Sequence, residues 1–360
     1  TEHMFGKPQP IPSGANRLPF IWTYVVKDDD NKTMKARATR NGALHMKGTV
    51  TMGHTYAGSL DHTISRIFWS ISAAKGHIVF GADASNAFAE APPPKAPLYM
   101  IVDQQYRDWY RHTKNVIIPD GYGIKINRAL QGHPESPRLW ATLINKHIIA
   151  LGFKPCFHEP CLYYHPNYKG KEVYFLRQVD DFAVSCIDKT IVKDIITFID
   201  QTMTIKLKLL GCIKRFNGVD VTQSSHFIKI STHTYITKIL KDKPWIRSPS
   251  HTSPIPMNPD NVYNHNLEQL EPLTGHDLKV VEDEYGFSYK QGIGELIYAM
   301  VTCRPDISFP LIKLSQYSSK PAKDHFEAVK QLYLYLQSTK DDGIYYWRPT
   351  PRHDLSLSII

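Results

Sequence analysis

Two adjacent carboxylates, Asp180 and Asp181, stand between two short apolar runs in the stretch Tyr174-Phe175-Leu176-Arg177-Gln178-Val179-Asp180-Asp181-Phe182-Ala183-Val184-Ser185-Cys186. Runs of this length, rich in Val, Phe and Tyr, predict strands, and the acidic pair between them predicts the tip of a β-hairpin. Each of two neighbouring carboxylates disfavours ionisation of the other unless a cation is present. The tip is therefore read as one side of a metal site, although Asp also favours hairpin turns for purely local hydrogen bonding.

A second carboxylate-bearing strand end lies upstream, in His77-Ile78-Val79-Phe80-Gly81-Ala82-Asp83. If Asp83 faces the Asp180-Asp181 tip across one sheet, three carboxylates from two strands offer the oxygen ligands that Mg²⁺ prefers. With two such ions, one activates a primer 3′-hydroxyl and the other steadies a leaving pyrophosphate. Lys35 and Arg37, on a basic strand after the turn Asp28–Asn31, would hold the triphosphate, or form no more than a solvated strand face. Phe88, five residues after Asp83, is either core or a ring that rests on the nucleotide sugar and excludes a 2′-hydroxyl.

Around these strands the periodicity predicts helices over 61–75, 136–151 and 190–203, and three more at 289–301, 307–317 and 323–338. Proline-rich residues 1–19 predict a disordered or extended lead-in, and 246–266 predict a linker. Helices alternating with strands indicate a mixed α/β (α+β) catalytic lobe followed by a helical one. At 360 residues the chain exceeds the roughly 250–300 at which a single core stops growing. No apolar run approaches the roughly 18 residues of a membrane span, so no membrane partner is expected. An odd count of five cysteines fits free thiols in a reducing, intracellular setting, with cytoplasm and nucleus left open. The net charge of +9 favours a polyanionic partner. Cys156, His158, Cys161 and His165 have the look of a metal cluster, but their spacing matches no standard zinc pattern.

In this order the motifs resemble the reverse transcriptase of Copia-type LTR retrotransposons over residues 22–347. The likeness is carried by Lys35-Ala36-Arg37, Asp83-Ala84-Ser85-Asn86-Ala87-Phe88, Leu130-Gln131-Gly132 leading to Ser136-Pro137-Arg138-Leu139-Trp140, and Glu159-Pro160-Cys161-Leu162-Tyr163. It continues through Val179-Asp180-Asp181, Phe216-Asn217-Gly218 and Arg304-Pro305-Asp306-Ile307.

The resemblance implies an RNA-directed DNA polymerase with a right-hand fold. Fingers and palm are expected over 20–215, a thumb over 216–255, a linker and helical connection region over 256–348, and the start of a ribonuclease H domain over 349–360. It implies Asp83, Asp180 and Asp181 as catalytic metal ligands, with the Ala84 backbone carbonyl, for two Mg²⁺ ions or Mn²⁺ in their place. It further implies Lys35, Arg37, Phe88 and Gln131 at the deoxynucleotide, and Gln178, Arg138 and Gly218 at the template–primer. The partners implied are an RNA or DNA template with its primer, deoxynucleotides, and other parts of a retrotransposon polyprotein.

Three departures stand out. Gln178 replaces the Tyr usual before this motif; Gln131 replaces another Tyr, and with it His133-Pro134-Glu135 removes a positive charge near the template; and truncation is expected at 349–360, about where the first acidic strand of a ribonuclease H domain would begin. No ribonuclease H, protease or integrase site is expected within these residues. The alternative is a decayed or domesticated protein that binds nucleic acid without polymerising. A palm-type RNA polymerase, the other rival, would carry a small or hydrogen-bonding residue in place of Phe88.

Overall fold

The computed structural model describes residues 4–26, 32, 34–40, 55–84, 86–203, 207–243, 245–246, 252–263 and 267–349. The chain divides into two compact units, residues 1–61 with 80–211 and residues 62–79 with 212–360.

The first unit is built on a six-stranded sheet in the order β12-β5-β11-β10-β9-β8. Its strands are β5 (Ile78–Ala84), β8 (Lys154–Pro155), β9 (Leu162–Tyr168), β10 (Lys171–Gln178), β11 (Asp181–Cys186) and β12 (Leu207–Cys212). Helices Ser136–Ala150 and Lys189–Gln201 supply Trp140, Ile144 and Ile148, and Ile191, Ile195 and Ile199, to the core that covers it. This spacing by four residues puts each set on one helical face. Asp188 fixes where the second helix begins by accepting a 2.8 Å hydrogen bond from the Thr190 amide.

Residues 1–19, expected as a disordered or extended lead-in, carry two strands joined by a turn among the described residues. β1 (Phe5–Pro10) and β2 (Asn16–Leu18) are the two edges of a second sheet, β1-β7-β6-β2, completed by β6 (Leu98–Ile101) and β7 (Tyr122–Ile126). An edge strand tolerates Pro8 and Pro10 because the missing amides can face away from the ladder. A two-stranded hairpin pairs β3 (Phe20–Val26) with β4 (Met34–Arg40).

The second unit carries the sheet β13-β14-β15-β16, made of Arg215–Phe216, Val219–Gln223, Phe227–Ser231 and Gly343–Trp347. Asn217 and Gly218 form the two-residue turn between β13 and β14 with φ of 47° and 79°, the type I′ sense that Asn-Gly favours. A Cβ on Gly218 would lie 2.6 Å from the Tyr298 hydroxyl, so glycine is needed there twice over.

The helices expected after the linker are present as Tyr289–Thr302, Ser308–Ser315 and Lys323–Ser338. They share one core with helix His233–Lys241 through Ile236, Ile239 and Leu240, so no core boundary separates the expected thumb from the connection region. Helix His62–Ala74, expected within the first lobe, also groups here. Among the described residues, no helix is long and apolar enough to cross a membrane.

Candidate active site

β10 and β11 pair antiparallel with Gln178 opposite Asp181, which leaves Val179 and Asp180 as a two-residue turn. Of these two only Val179 has a positive φ, 52°, the position where a II′ turn favours glycine. A β-branched residue in that region is a true outlier and costs on the order of 1–3 kcal/mol. Two hydrogen bonds from other elements hold it there. Trp140 donates from Nε1 to the Val179 carbonyl at 2.6 Å, and the Ala84 amide donates to the Asp180 carbonyl at 3.0 Å.

The second bond makes the site. β5 and β11 are neighbours in the sheet, and the Ala84–Asp180 bond ties the strand end that carries Asp83 to the acidic turn. Asp83, Asp180 and Asp181 thus share one edge of the sheet, with Asp180 exposed and the other two half-buried. Their donor set is all oxygen and open to water, which suits Mg²⁺, an ion that keeps waters and needs only one or two carboxylates. Among the described residues, no three His, Cys, Asp or Glu side chains enclose a ready-made cage.

Downstream of β5, Asn86 takes φ 60° and starts the 3₁₀ turn Ala87–Ala89. Ala87 and Ala91 go into the core, while the Phe88 ring lies half-buried against it, so Phe88 is partly core and partly surface.

Gln131 is exposed in a turn closed by the His133 amide on the Leu130 carbonyl at 3.0 Å, with Gly132 at φ 86°. That geometry matches a type II turn, which needs a positive φ at its third residue. Ser136 Oγ donates 2.7 Å to the same Leu130 carbonyl and so fixes the turn to the start of helix Ser136–Ala150, where Arg138 is half-buried.

Lys35 and Arg37 are two residues apart on β4, opposite Val25 and Thr23, on one face of the hairpin; their side chains lie outside the described residues. Gly218 belongs to the second unit. The cysteine–histidine cluster does not form, because Cys161 is buried under the sheet while His158 is exposed and His165 projects from β9.

Behind the turn lies a polar network that the spacing of residues did not announce. Arg177, buried on β10, donates from Nε to the Tyr163 hydroxyl at 3.1 Å, and that hydroxyl donates to Asn145 Oδ1 at 3.0 Å. Burial pushes the Cys161 thiol up to about 11, against the opposing pull of the Arg177 charge. The one sequence hint was a basic residue inside an otherwise apolar strand.

The family model described as "Reverse transcriptase (RNA-dependent DNA polymerase)" matches residues 9–258. The chain is 23% identical over 347 residues to the "Retrovirus-related Pol polyprotein from transposon RE1" of Arabidopsis thaliana, covering 95% of this chain and 22% of that protein. It is 23% identical to the polyprotein from transposon TNT 1-94 of Nicotiana tabacum, over 92% of this chain and 24% of that one. The chain therefore spans about a quarter of the length of these relatives. The "Putative transposon Ty5-1 protein YCL074W" of Saccharomyces cerevisiae is 28% identical over 62% of this chain and 67% of its own length. A solved structure of the foamy viral protease-reverse transcriptase dRH in complex with ds DNA aligns with a TM-score of 0.46 at 14% identity, over 91% of this chain and 44% of that one. The matched span of the family model contains both carboxylate-bearing strands and the turn that joins them, and the chain belongs to the reverse transcriptase (RNA-dependent DNA polymerase) family, in its Copia-type retrotransposon branch.

Proposed function

We propose that the chain is an RNA-directed DNA polymerase, a nucleotidyltransferase that adds deoxynucleotides to a primer 3′-end on an RNA or DNA template. The observation that carries this reading is the 3.0 Å bond between the Ala84 amide and the Asp180 carbonyl, which supports Asp83, Asp180 and Asp181 acting on one substrate. Two Mg²⁺ ions, or Mn²⁺ in their place, would be held by these carboxylates and the Ala84 carbonyl, and supply activation of the primer hydroxyl and charge neutralisation at the pyrophosphate.

The remaining work is positioning. The strained turn holds Asp180 out into solvent, where it can meet substrate. Lys35 and Arg37 would hold the triphosphate by charge-assisted hydrogen bonds. The half-buried ring of Phe88 is braced by the core on one side, which suits a rigid wall against a 2′-hydroxyl. Gln131 would meet the sugar from its fixed turn, Arg138 the template, and Gly218 the primer through its backbone. In right-hand terms, residues to about 215 would be fingers and palm, those to about 255 thumb, and the later helices a connection region.

Primer extension on a homopolymer RNA template with deoxynucleotides and Mg²⁺ tests the reading. The wild-type chain should extend the primer, and Asp180→Asn should lower the rate by about 10²–10³-fold, the size of effect seen when one charge-stabilising group is removed from an active site. Binding of primer–template without extension by the wild-type chain would replace this reading with the binding-only alternative.

A further inference from the structure

We infer that Gln178, the residue standing where the family usually has Tyr, is a positioning residue that latches the acidic turn to the segment Gly58–Asp61. The inference rests on the polymerase reading for its consequence but not for its geometry. Gln178 Oε1 accepts a hydrogen bond from the Leu60 amide at 2.9 Å, and its Nε2 lies 3.5 Å from Ser59 Oγ, the outer limit of such a bond.

The segment it grips is itself fixed. Glu159, buried, accepts from the Asp61 amide at 3.2 Å with Oε2 and from the Cys161 amide at 2.9 Å with Oε1. Cys161 Sγ donates to the Gly58 carbonyl at 3.5 Å, and the absent Cβ of Gly58 leaves room for Pro160, whose Cγ would lie only 3.1 Å away. Leu60 is buried, so its amide is a donor held in place and in need of an acceptor. The Gln178 carboxamide is that acceptor, and its backbone is the residue paired with Asp181 at the base of the turn.

The side chain is therefore committed to the protein. A Tyr here could not accept from Leu60 in the same way, which accounts for a carboxamide at this position without a direct role at the primer. The acidic turn then has three fastenings, to Trp140, to Ala84 and, through Gln178, to Leu60.

The test uses the whole chain and compares Gln178→Leu and Gln178→Glu with wild type, each checked for an unchanged far-ultraviolet circular dichroism spectrum. Amide hydrogen exchange at Leu60 should speed up about tenfold in Gln178→Leu and stay slow in Gln178→Glu, whose carboxylate still accepts. In primer extension, Gln178→Leu should lower kcat about tenfold while the Kd for primer–template stays within about twofold. Unchanged exchange at Leu60, or a weakened primer–template Kd at constant kcat, would overturn the latch in favour of direct primer contact. If the wild-type chain extends no primer, the polymerase reading fails, and the exchange measurement alone decides the latch.

Discussion

Trp140 acts on the acidic turn through a single N–H. Its ring is buried and stacks on Phe182 at 6.5 Å between centroids and 19° between planes, while Nε1 fastens the Val179 carbonyl at 2.6 Å. Trp140→Phe keeps most of the packing and removes the donor, leaving a strained residue without its main restraint. The expected cost is about 1 kcal/mol of stability, the usual net contribution of one hydrogen bond. It should appear as a lower urea midpoint at unchanged slope, together with a fall in kcat for primer extension that exceeds any change in primer–template affinity. At this scale the placement of Asp83, Asp180 and Asp181 at strand ends was legible in the sequence, because apolar runs lead up to each of them. Phe88 was legible as an alternative between core and gate, and the structure leaves its ring half-buried against the core. The partners of Trp140 and Gln178 were not legible, since each bond joins residues that only folding brings together.

Helices with a long apolar stripe were readable, and a helix without one was not. Helices Ser136–Ala150 and Lys189–Gln201 follow the predicted spans because their apolar residues recur at helical spacing. Helix Gln104–Lys114 buries none of its residues, so it offers no stripe to find, and its local signal was Asp103, which accepts from the Tyr106 amide at 2.7 Å.

In the second unit the helices are joined by polar groups that titrate. Burial opposes charge on Glu295, but bonds from Tyr333 at 2.6 Å, Gln291 at 2.9 Å and the buried Lys243 at 3.0 Å hold its carboxyl below the ordinary 4.5. At Asp306 desolvation likewise opposes charge, yet the buried Arg304 and the Tyr335 hydroxyl hold its carboxyl below 3.8. Carboxyls depressed on folding stabilise above their unfolded values, and that contribution disappears as pH falls through the folded ones. The thermal midpoint should therefore drop as pH is lowered below about 4.5, and Glu295→Gln should flatten that acid limb when melts are followed by circular dichroism.

For the molecule as a whole, the excess of +9 charges makes a salt dependence of nucleic-acid binding the natural measurement. Primer–template affinity should fall roughly a hundredfold between 50 and 200 mM salt, read as a linear plot of log Kd against log salt, and a flat plot would remove the basic surface from the reading. The division into two units was not legible because it depends on contacts far apart in sequence. Arg66 in helix His62–Ala74, for instance, donates from Nη2 to the carbonyls of Val301 and Thr302 at 2.7 and 3.1 Å.

The fastenings of the Val179 turn have the same character, and they bear on folding kinetics. One reaches across 39 residues and another across 118, so the setting of the turn, unlike the pairing of its two strands, depends on contacts far apart in sequence. Loops of that size must close before their contacts return any stabilisation. During synthesis, strands β10 and β11 can pair while Val179 still rests at an ordinary negative φ. Its strained setting should then follow once the residues around Leu60, Ala84 and Trp140 have closed in. Competence for chemistry would thus be a late reporter of folding, and on heating or in denaturant it should vanish before the sheet that carries it.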